Sequence, residues 1–554
     1  MWRNIRNGLK GIEKMGVFLN RGTMEFESAV NSMVYVDKTD MVSFFNNVIN
    51  TEQRYVCVSR PRRFGKTMAA NMLAAYYENG SDSRSLFENR KLGKMEDWDR
   101  YLNKFDVLRI DVAYALTITD NVDEALQFIE DSIVSDLRAA FPDVDLPAGM
   151  KPATALDAVN SKDNAQFIII IDEWDAIFRD NKLMLDRQKA YVDLLRSLFK
   201  SNNSKKFTAL AYITGILPIK RYNSESAMNN FDEYTMLNPD NLLDYIGFTD
   251  EEVEELCTKY RMNYDLMCEW YDGYVYDRAD DFGEETELVH IFGPNSVVKS
   301  INRRRCDNYW SKTVAFDSLA SYITMNFDGL KDAIVELMGG GRIKVKVGGF
   351  QNDMTSFTSK DDVMTVLIHL GYLGYDKETR EVFIPNKEVM QCFEHTLQAT
   401  DWTEVIEAID DSEKLLKNLI GGNAEAVAEG IEKCHRQNSS ILKYNDENSL
   451  ASVIGLAFYA ARAKYNLIRE LPSGDGFADI VFLPKKGIAA AETPAIVVEL
   501  KWNKSAESAI EQIKAKKYPE SLEGFSNEII LCGITYDKSP DSNKHHTCAI
   551  EKIQ

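Results

Sequence analysis

What the chain lacks narrows the field first. None of its 554 residues falls in a stretch approaching the roughly 18 consecutive apolar positions of a membrane span, so no transmembrane helix is expected. The opening residues, Met1-Trp2-Arg3-Asn4-Ile5-Arg6, lack the apolar run of a signal peptide. The eight cysteines are scattered from Cys57 to Cys548 with no CxxC pair. That excludes a disulfide frame or a zinc site and predicts reduced, buried thiols in a cytoplasmic protein. There is no fixed-period repeat and no low-complexity tract. No Ser/His/Asp arrangement has convincing context. Excess positive charge is missing too: 65 basic against 86 acidic side chains leave −21, which argues against a chain coated for non-specific nucleic-acid binding.

What is there is globular material. Hydrophobic residues make up 45%, charged 27% and aromatic 11%, which is ordinary composition and excludes wholesale disorder. The length predicts three or four domains at roughly 100–200 residues each. The charge is unevenly spread. Ser440 to Gln554 holds 14 Lys/Arg and 15 Asp/Glu, a net −1, so the remainder carries −20. A local nucleic-acid site near the C-terminus is therefore permitted.

The first half alternates short apolar runs with amphipathic stretches. Strands are expected at Arg54–Ser59, Phe105–Val112, Gln166–Ile171 and Thr208–Thr214, and helices at Met68–Tyr77, Asn121–Ala140 and Lys182–Lys200. Such alternation predicts an α/β fold with a parallel sheet covered on both faces. After Asn238 helices dominate (Asp250–Tyr260, Met262–Tyr271, Asp361–Leu370), followed by a hairpin-like stretch at Gly371–Tyr375 and Glu381–Pro385. That order suggests a winged-helix-like unit. The expected division is 1–237 for a nucleotide-binding domain and 238–400 for a helical and winged-helix-like lid. A helical connector at 401–440, broken at Gly421-Gly422, then leads to a second α/β domain at 441–554.

Ser59-Arg60-Pro61-Arg62-Arg63-Phe64-Gly65-Lys66-Thr67 lies between a strand and a helix and ends in the GK[ST] of a phosphate-binding loop. Free backbone N–H groups at the helix start favour phosphate there. Gly65 lets the backbone approach closely, Lys66 reaches the β- and γ-phosphates, and the Thr67 hydroxyl ligates Mg²⁺. Arg60 stands where the usual loop has its first glycine, so a chance basic turn is the alternative. The second half of the constellation is Ile168–Ile171 running into Asp172-Glu173-Trp174-Asp175. Ligands in parallel sheets bind beyond the C-terminal strand ends. Asp172 would hold Mg²⁺ through water, and Glu173 would orient the attacking water as general base. Thr214 is a candidate sensor of the γ-phosphate; a strand-end turn with Gly215 is the alternative. Arg62, Arg63 or Arg221 would serve as an arginine finger, worth about 10³–10⁵ in rate, in this chain or toward a neighbouring subunit of a homo-oligomer. A solvated basic face is the competing reading for each.

These motifs, with Tyr35-Val36-Asp37-Lys38-Thr39, Trp270–Tyr274 (WYDGY) and Asn308–Thr313 (NYWSKT), give the chain a specific likeness. Residues 15–310 resemble the predicted AAA-ATPase-like family of bacterial proteins, whose loop commonly reads RPRRFGK. The resemblance implies a P-loop ATPase core of the additional-strand class that uses ATP and Mg²⁺, with Pro61, Arg62, Arg63, Phe64, Gly65, Lys66 and Thr67 as its phosphate loop. It also makes the replaced glycine the family's own pattern and places Tyr35–Thr39 near the nucleotide. Trp270–Tyr274 read equally as packing aromatics at a helix end.

A second constellation follows residue 441. Glu447 opens an amphipathic helix, Asp479 sits in a strand, and Glu499-Leu500-Lys501 ends another. Alternation along a strand puts 499 and 501 on one face. Adjacent strands would then gather Asp479, Glu499 and Lys501. Two carboxylates there suit Mg²⁺, Glu447 would complete the set, and the metal would activate water against a phosphodiester. Lys501 would position that water or stabilise developing charge. Gln512 and Tyr518 follow on a helix with Lys514, Lys516 and Lys517, a backbone-tracking or merely solvated face. The order of helix with Glu, strand with Asp, strand with Glu-x-Lys and helix with Gln resembles the PD-(D/E)xK nuclease superfamily over residues 441–540. It implies a metal-dependent nuclease acting on DNA or RNA; a nuclease fold kept for binding is the alternative. A further expectation is that the whole chain is an ATP-dependent nuclease, against an ATP-driven switch or scaffold. His545-His546 reads as a solvated tail and Arg303-Arg304-Arg305 as a surface turn. Arg342–Lys346 reads as a half-exposed strand with its basic residues on one face.

Overall fold

Five short strands form the first sheet: β1 (Tyr55–Ser59), β2 (Asp106–Asp111), β3 (Phe167–Asp172), β4 (Thr208–Gly215) and β5 (Asp232–Tyr234). They run parallel in the order β2-β3-β4-β1-β5. β1, β3 and β4 are buried at every position. Both faces are covered, so their sequences are continuous apolar runs rather than alternating ones. The chain is seen in a computed structural model. Its described residues are 16–179, 185–219, 221–222, 225–226, 228–279, 286–310, 315–325, 327, 329–338, 340–349, 357–398, 403–438, 447–459, 461, 465–473, 476–484, 493–518, 522, 528–538 and 544–553.

Two helices matter for the site. α1 (Lys66–Tyr77) follows β1 directly. α2 (Val122–Ala140) is capped by Asn121, whose side chain accepts the Glu124 N–H. It buries Val122, Ala125, Leu126, Ile129, Ile133, Val134 and Leu137, the spacing of one helix face. They join Leu108, Ile110, Ile169 and Ile171 in one core. β4 lies between β1 and β3, the strand order of the additional-strand class. The loops leaving β1 and β3 therefore open at the same sheet edge.

Beyond β5, α3 (Asp250–Tyr260) begins with a full capping box of Thr249 and Glu252. An antiparallel sheet of Phe248–Thr249, Thr286–Phe292 and Tyr274–Ala279 follows. The helix Pro294–Arg303 packs its Val297 and Ile301 with Val253, Leu256 and Tyr271. The strands Tyr274–Ala279 and Thr286–Phe292 stand within the stretch where helices are expected to dominate, and their aromatic and β-branched residues pair antiparallel with each other.

The chain divides into two compact units. One holds Met1–Tyr309, Lys346–Arg380 and Pro385–Glu388; the other holds Trp310–Val345, Glu381–Ile384 and Val389–Gln554. The expected boundaries at 238 and 400 do not follow this division, because segments within 310–400 pack with different partners. In the second unit, α4 (Thr403–Gly421), α5 (Ala424–Asn438) and α6 (Glu447–Ala457) precede a mixed sheet. Its strands are β6 (Tyr465–Ser473), β7 (Gly476–Pro484), β8 (Ala495–Trp502), β9 (Ile529–Tyr536) and β10 (His546–Ile553), in that order. β8 and β9 are parallel and the other neighbours antiparallel. α7 (Ala506–Ala515) covers one face through Ile510 and Ile513, against Val481, Val497 and Leu531.

One expectation fails here. Glu432 of α5 accepts the N–H groups of His545 and His546 at 2.9 and 3.1 Å and the His546 ring at 2.7 Å, so this helix docks on β10. For the same reason His545-His546 is no solvated tail, since His546 is 2% exposed. Arg303–Arg305 do form an exposed turn after a helix. Arg342 to Lys346 alternate exposed and buried around a two-residue strand, Ile343–Lys344. All eight cysteines are free and buried or half-buried. Among the described residues no helix is long and apolar enough to cross a membrane.

Candidate nucleotide and metal sites

β1 ends at Ser59 and the chain turns through Arg60–Gly65 into α1. Gly65 caps that helix at φ 96°, a left-handed backbone that favours glycine. Nothing lies within 4 Å of where its Cβ would stand, so the space above the helix start is open to an anion. Lys66 is buried and donates its Nζ to the carbonyls of Arg60 (2.9 Å) and Pro61 (2.8 Å). Burial lowers its ammonium to about 8, against the opposing pull of Asp175, Asp172 and Glu173. Arg62 and Thr67 are exposed. A cavity of about 640 Å³ opens beside them. Its lining includes Arg62, Gly65, Lys66, Thr67 and Glu173 and the apolar Val34, Val36, Phe248 and Val298.

The other loop residues are held by neighbouring groups, although Arg63 and Phe64 also line the cavity. Pro61 is buried. Arg63 donates Nη1 to the Tyr309 carbonyl at 2.8 Å. Phe64 is buried edge-on to Tyr274, with ring centroids 5.5 Å apart. Arg60, which replaces the usual glycine, is 1% exposed. Its guanidinium lies 5.6 Å from the Tyr276 ring centre and 3.4 Å from its hydroxyl. Burial pushes that guanidinium below its ordinary range. Trp270–Tyr274 resolve as packing: Tyr271 and Tyr274 are buried. The Arg221 side chain lies outside the described residues.

The end of β3 is stapled to the end of β4. Asp172 is 2% exposed, and its Oδ1 takes the Thr214 hydroxyl at 2.5 Å and the Glu173 N–H at 3.0 Å. Neither Asp172 nor Thr214 lines the cavity; Thr214 is fully buried and its hydroxyl serves Asp172. Trp174 donates its backbone N–H to the Thr214 carbonyl at 2.9 Å. Asp175 Oδ2 accepts the N–H groups of Ile216 and Leu217 at 3.0 and 2.9 Å. Gly215 has no room for a side chain, because a Cβ would sit 2.6 Å from Trp174 Nε1 and 2.8 Å from Asp175 Oδ1. Glu173 stands on this support at φ 50° and lines the cavity. Burial alone would raise its carboxyl, but the ion-paired Arg179 guanidinium, together with Lys66 and Arg62, outweighs it and holds the carboxyl below its ordinary range.

Sequence reasoning missed Asp175 and Arg179, although both letters stand within seven residues of Glu173. It also missed what Tyr35–Thr39 do. Asp37 accepts the Thr39 N–H and hydroxyl (3.0 and 2.7 Å) and the Lys91 N–H (2.7 Å). Lys38 pairs with Glu252, the capping residue of α3, at 2.5 Å, and its burial lowers the ammonium.

In the second unit, Ile480 of β7 faces Val498 of β8, so the flanking Asp479 and Glu499 come together. Asp479 Oδ2 accepts the Leu500 N–H at 2.7 Å. Glu499 is 1% exposed; its Oε1 accepts Lys501 Nζ at 2.9 Å and the Gln512 amide of α7. The Tyr518 hydroxyl donates to the Phe477 carbonyl at 2.6 Å. Burial first, then the charges of Glu499 and Asp479, push that phenol above its ordinary range. The site thus concentrates negative charge, and two hard-oxygen carboxylates suit Mg²⁺ completed by water and substrate phosphate. Glu447 is the first residue of α6; its side chain lies outside the described residues. Among those described, no three His, Cys, Asp or Glu are grouped to hold a metal. Lys514 pairs with Glu551, and Lys516 and Lys517 are exposed.

The first unit thus holds a P-loop nucleotide fold of the additional-strand class, and the second a mixed sheet with an Asp, Glu-x-Lys centre. The comparisons agree in both halves. Residues 21–223 match the family model described as predicted AAA-ATPase, and residues 445–545 match that of the PD-(D/E)XK nuclease superfamily. The chain carries an AAA-ATPase-like domain followed by a PD-(D/E)XK nuclease superfamily domain. No curated protein matches the sequence. Among solved structures, the ORC2 protein of Aeropyrum pernix in ADPNP-ADP complexes is 10% identical, with a TM-score of 0.28 over 67% of this chain and 97% of that one. Cdc6p of Pyrobaculum aerophilum is also 10% identical, at 0.24 over 67% and 98%. Scores this low carry no argument.

Proposed function

We propose that the protein binds and hydrolyses ATP at its N-terminal site and cleaves nucleic acid with Mg²⁺ at its C-terminal one, the first controlling the second. The carrying observation is the gathering of Asp479, Glu499, Lys501 and Gln512 around one point from two strands and a helix. Asp479 and Glu499 would hold the metal, which polarises the scissile phosphate and activates water. Lys501, held by Glu499, places a positive charge beside the phosphate, and Gln512 keeps the Glu499 carboxylate in place. At the N-terminal site Gly65 leaves room for phosphate, Lys66 moves from its two carbonyls to the phosphate oxygens, and the Thr67 hydroxyl and Asp172 serve Mg²⁺. Thr214 holds Asp172, and Glu173 orients the attacking water.

The test is Mg²⁺-dependent cleavage of DNA and RNA by the full chain beside Asp479→Ala and Lys501→Ala, with and without ATP and in a Lys66→Ala background. Loss of cleavage in the first two variants and loss of its ATP dependence in the third is expected. Equal cleavage by all four proteins removes the assignment.

A second reading has its own support. Asp479 Oδ2 is committed to a backbone N–H and Glu499 Oε1 to two side chains, as in a fold kept for binding. ATP-dependent assembly without cleavage under any divalent metal favours that switch.

A further inference from the structure

We propose that Arg179 is a positioning residue for ATP hydrolysis, an arm with two resting places: on Glu173 it restrains the carboxylate, and on Asp175 it releases it. The inference rests on the reading of Glu173 as the residue that orients water. Arg179 ends a short helix, Ala176–Arg179, directly after the acidic motif. Its Nη2 pairs with Glu173 Oε2. Its Nη1 stops 3.9 Å from Asp175 Oδ1, about 1 Å beyond hydrogen-bonding distance. That Nη1 and that Oδ1 are both buried and both lack a hydrogen-bond partner. Asp175 is wholly buried, and its other oxygen is already held by the Ile216 and Leu217 N–H groups. A buried cation and a buried anion with unmet bonding capacity thus face each other across a small gap. Closing it draws the guanidinium away from Glu173.

The nucleotide supplies the push. Lys66 lies in the field of the same carboxylates, and Asp175 attracts it most strongly. Phosphates that draw Lys66 onto themselves leave Asp175 less compensated. Arg179 is the cation already facing it, so a nucleotide in the cavity shifts a minor fraction of the arm onto Asp175, and Glu173 is released in that fraction.

The experiment measures kcat at saturating ATP and Mg²⁺ for the full chain, Arg179→Gln and Asp175→Asn. Arg179→Gln takes the restraining charge off Glu173, and kcat rises about tenfold, the order expected for a charge-assisted pair. Asp175→Asn keeps an oxygen for the Ile216 and Leu217 N–H groups but removes the competing anion. Arg179 then stays on Glu173 and kcat falls about tenfold. Opposite signs are the signature, since simple structural damage lowers both. Should Arg179→Gln not fold, Arg179→Lys, which keeps the charge but loses the two-armed fork, is expected to lie between wild type and a released enzyme. Shifts of both positions in one direction, or no shift, overturn the arm while leaving ATP hydrolysis intact. No hydrolysis by any of these proteins, with nucleotide still bound, overturns the hydrolysis reading and this inference with it.

Discussion

Nucleotide binding at alkaline pH is expected to take up a proton, and Lys66 is where it goes. In the free protein its Nζ has exchanged water for two carbonyls, and burial lowers the ammonium from 10.5 to about 8. Bound phosphates stabilise the charged form, so the bound lysine stays protonated across the accessible range. The sign follows: free protein loses this proton as pH rises through 8, and binding restores it. Uptake is about 0.1 proton at pH 7, about 0.5 at pH 8 and about 0.9 at pH 9. Apparent affinity is flat below pH 8 and weakens toward roughly tenfold per unit above it. Titration calorimetry in two buffers of different ionisation enthalpy reads the uptake directly, and above pH 8 the nucleotide's own phosphates are fully ionised. Lys66→Met should bind more weakly and take up nothing. Buffer-independent binding enthalpy at pH 8, or uptake that survives in Lys66→Met, refutes the reasoning.

Two further outcomes concern stability. His369 ends the helix Lys360–His369 at 2% exposure, and burial lowers its ring from 6.5 to about 4. Between those values the unfolded chain binds the proton and the folded one does not, so stability is full above pH 6.5 and falls as pH drops toward 4, by on the order of 3 kcal/mol. Hydrogen exchange of that helix should show this slope in wild type and a flatter one in His369→Phe; equal slopes would exclude the ring as its source. Glu432→Gln should weaken the anchoring of α5 on β10 by roughly 2 kcal/mol, because its Oε2 collects three donors from His545 and His546. Hydrogen exchange confined to the second unit would report it, with nucleotide binding unaltered; an unprotected α5 in wild type would count against the anchor.

Local signals made most of the first sheet legible. A strand buried on both faces writes itself as an apolar run, as Ile168–Ile171 does, and a capping box writes the start of α3 at Asp250. The acids after β3 and the glycine before α1 could be placed at one sheet edge because parallel strands share a direction. What stayed hidden depends on partners far along the chain. Glu432 and His546 stand 114 residues apart, and nothing near either announces the other, so a paired strand read as a tail. Arg179 was hidden differently. Its distance from Glu173 is short, but a lone arginine after a motif carries no pattern until burial shows that it has nowhere else to put its charge.

The phosphate loop shows why a missing glycine need not weaken a nucleotide site. In a glycine-rich loop, backbone freedom lets the chain wrap an anion. Here the turn keeps only Gly65, and its neighbours are pinned by side chains. Arg60 is clasped by Tyr276, Arg63 by the Tyr309 carbonyl, and Phe64 by Tyr274, with Gly247 and Gly293 beside its ring. All of these partners lie between residues 247 and 309, beyond the parallel sheet. The loop's shape is therefore set partly from outside the nucleotide-binding sheet, beside the bond that its Arg60 N–H gives to the Gly215 carbonyl of β4 at 3.1 Å. That region lies against the turn whose Arg60 and Pro61 carbonyls hold Lys66. The arginines that replace flexibility with anchorage thus make phosphate binding and the packing of the helical region two readings of one structure.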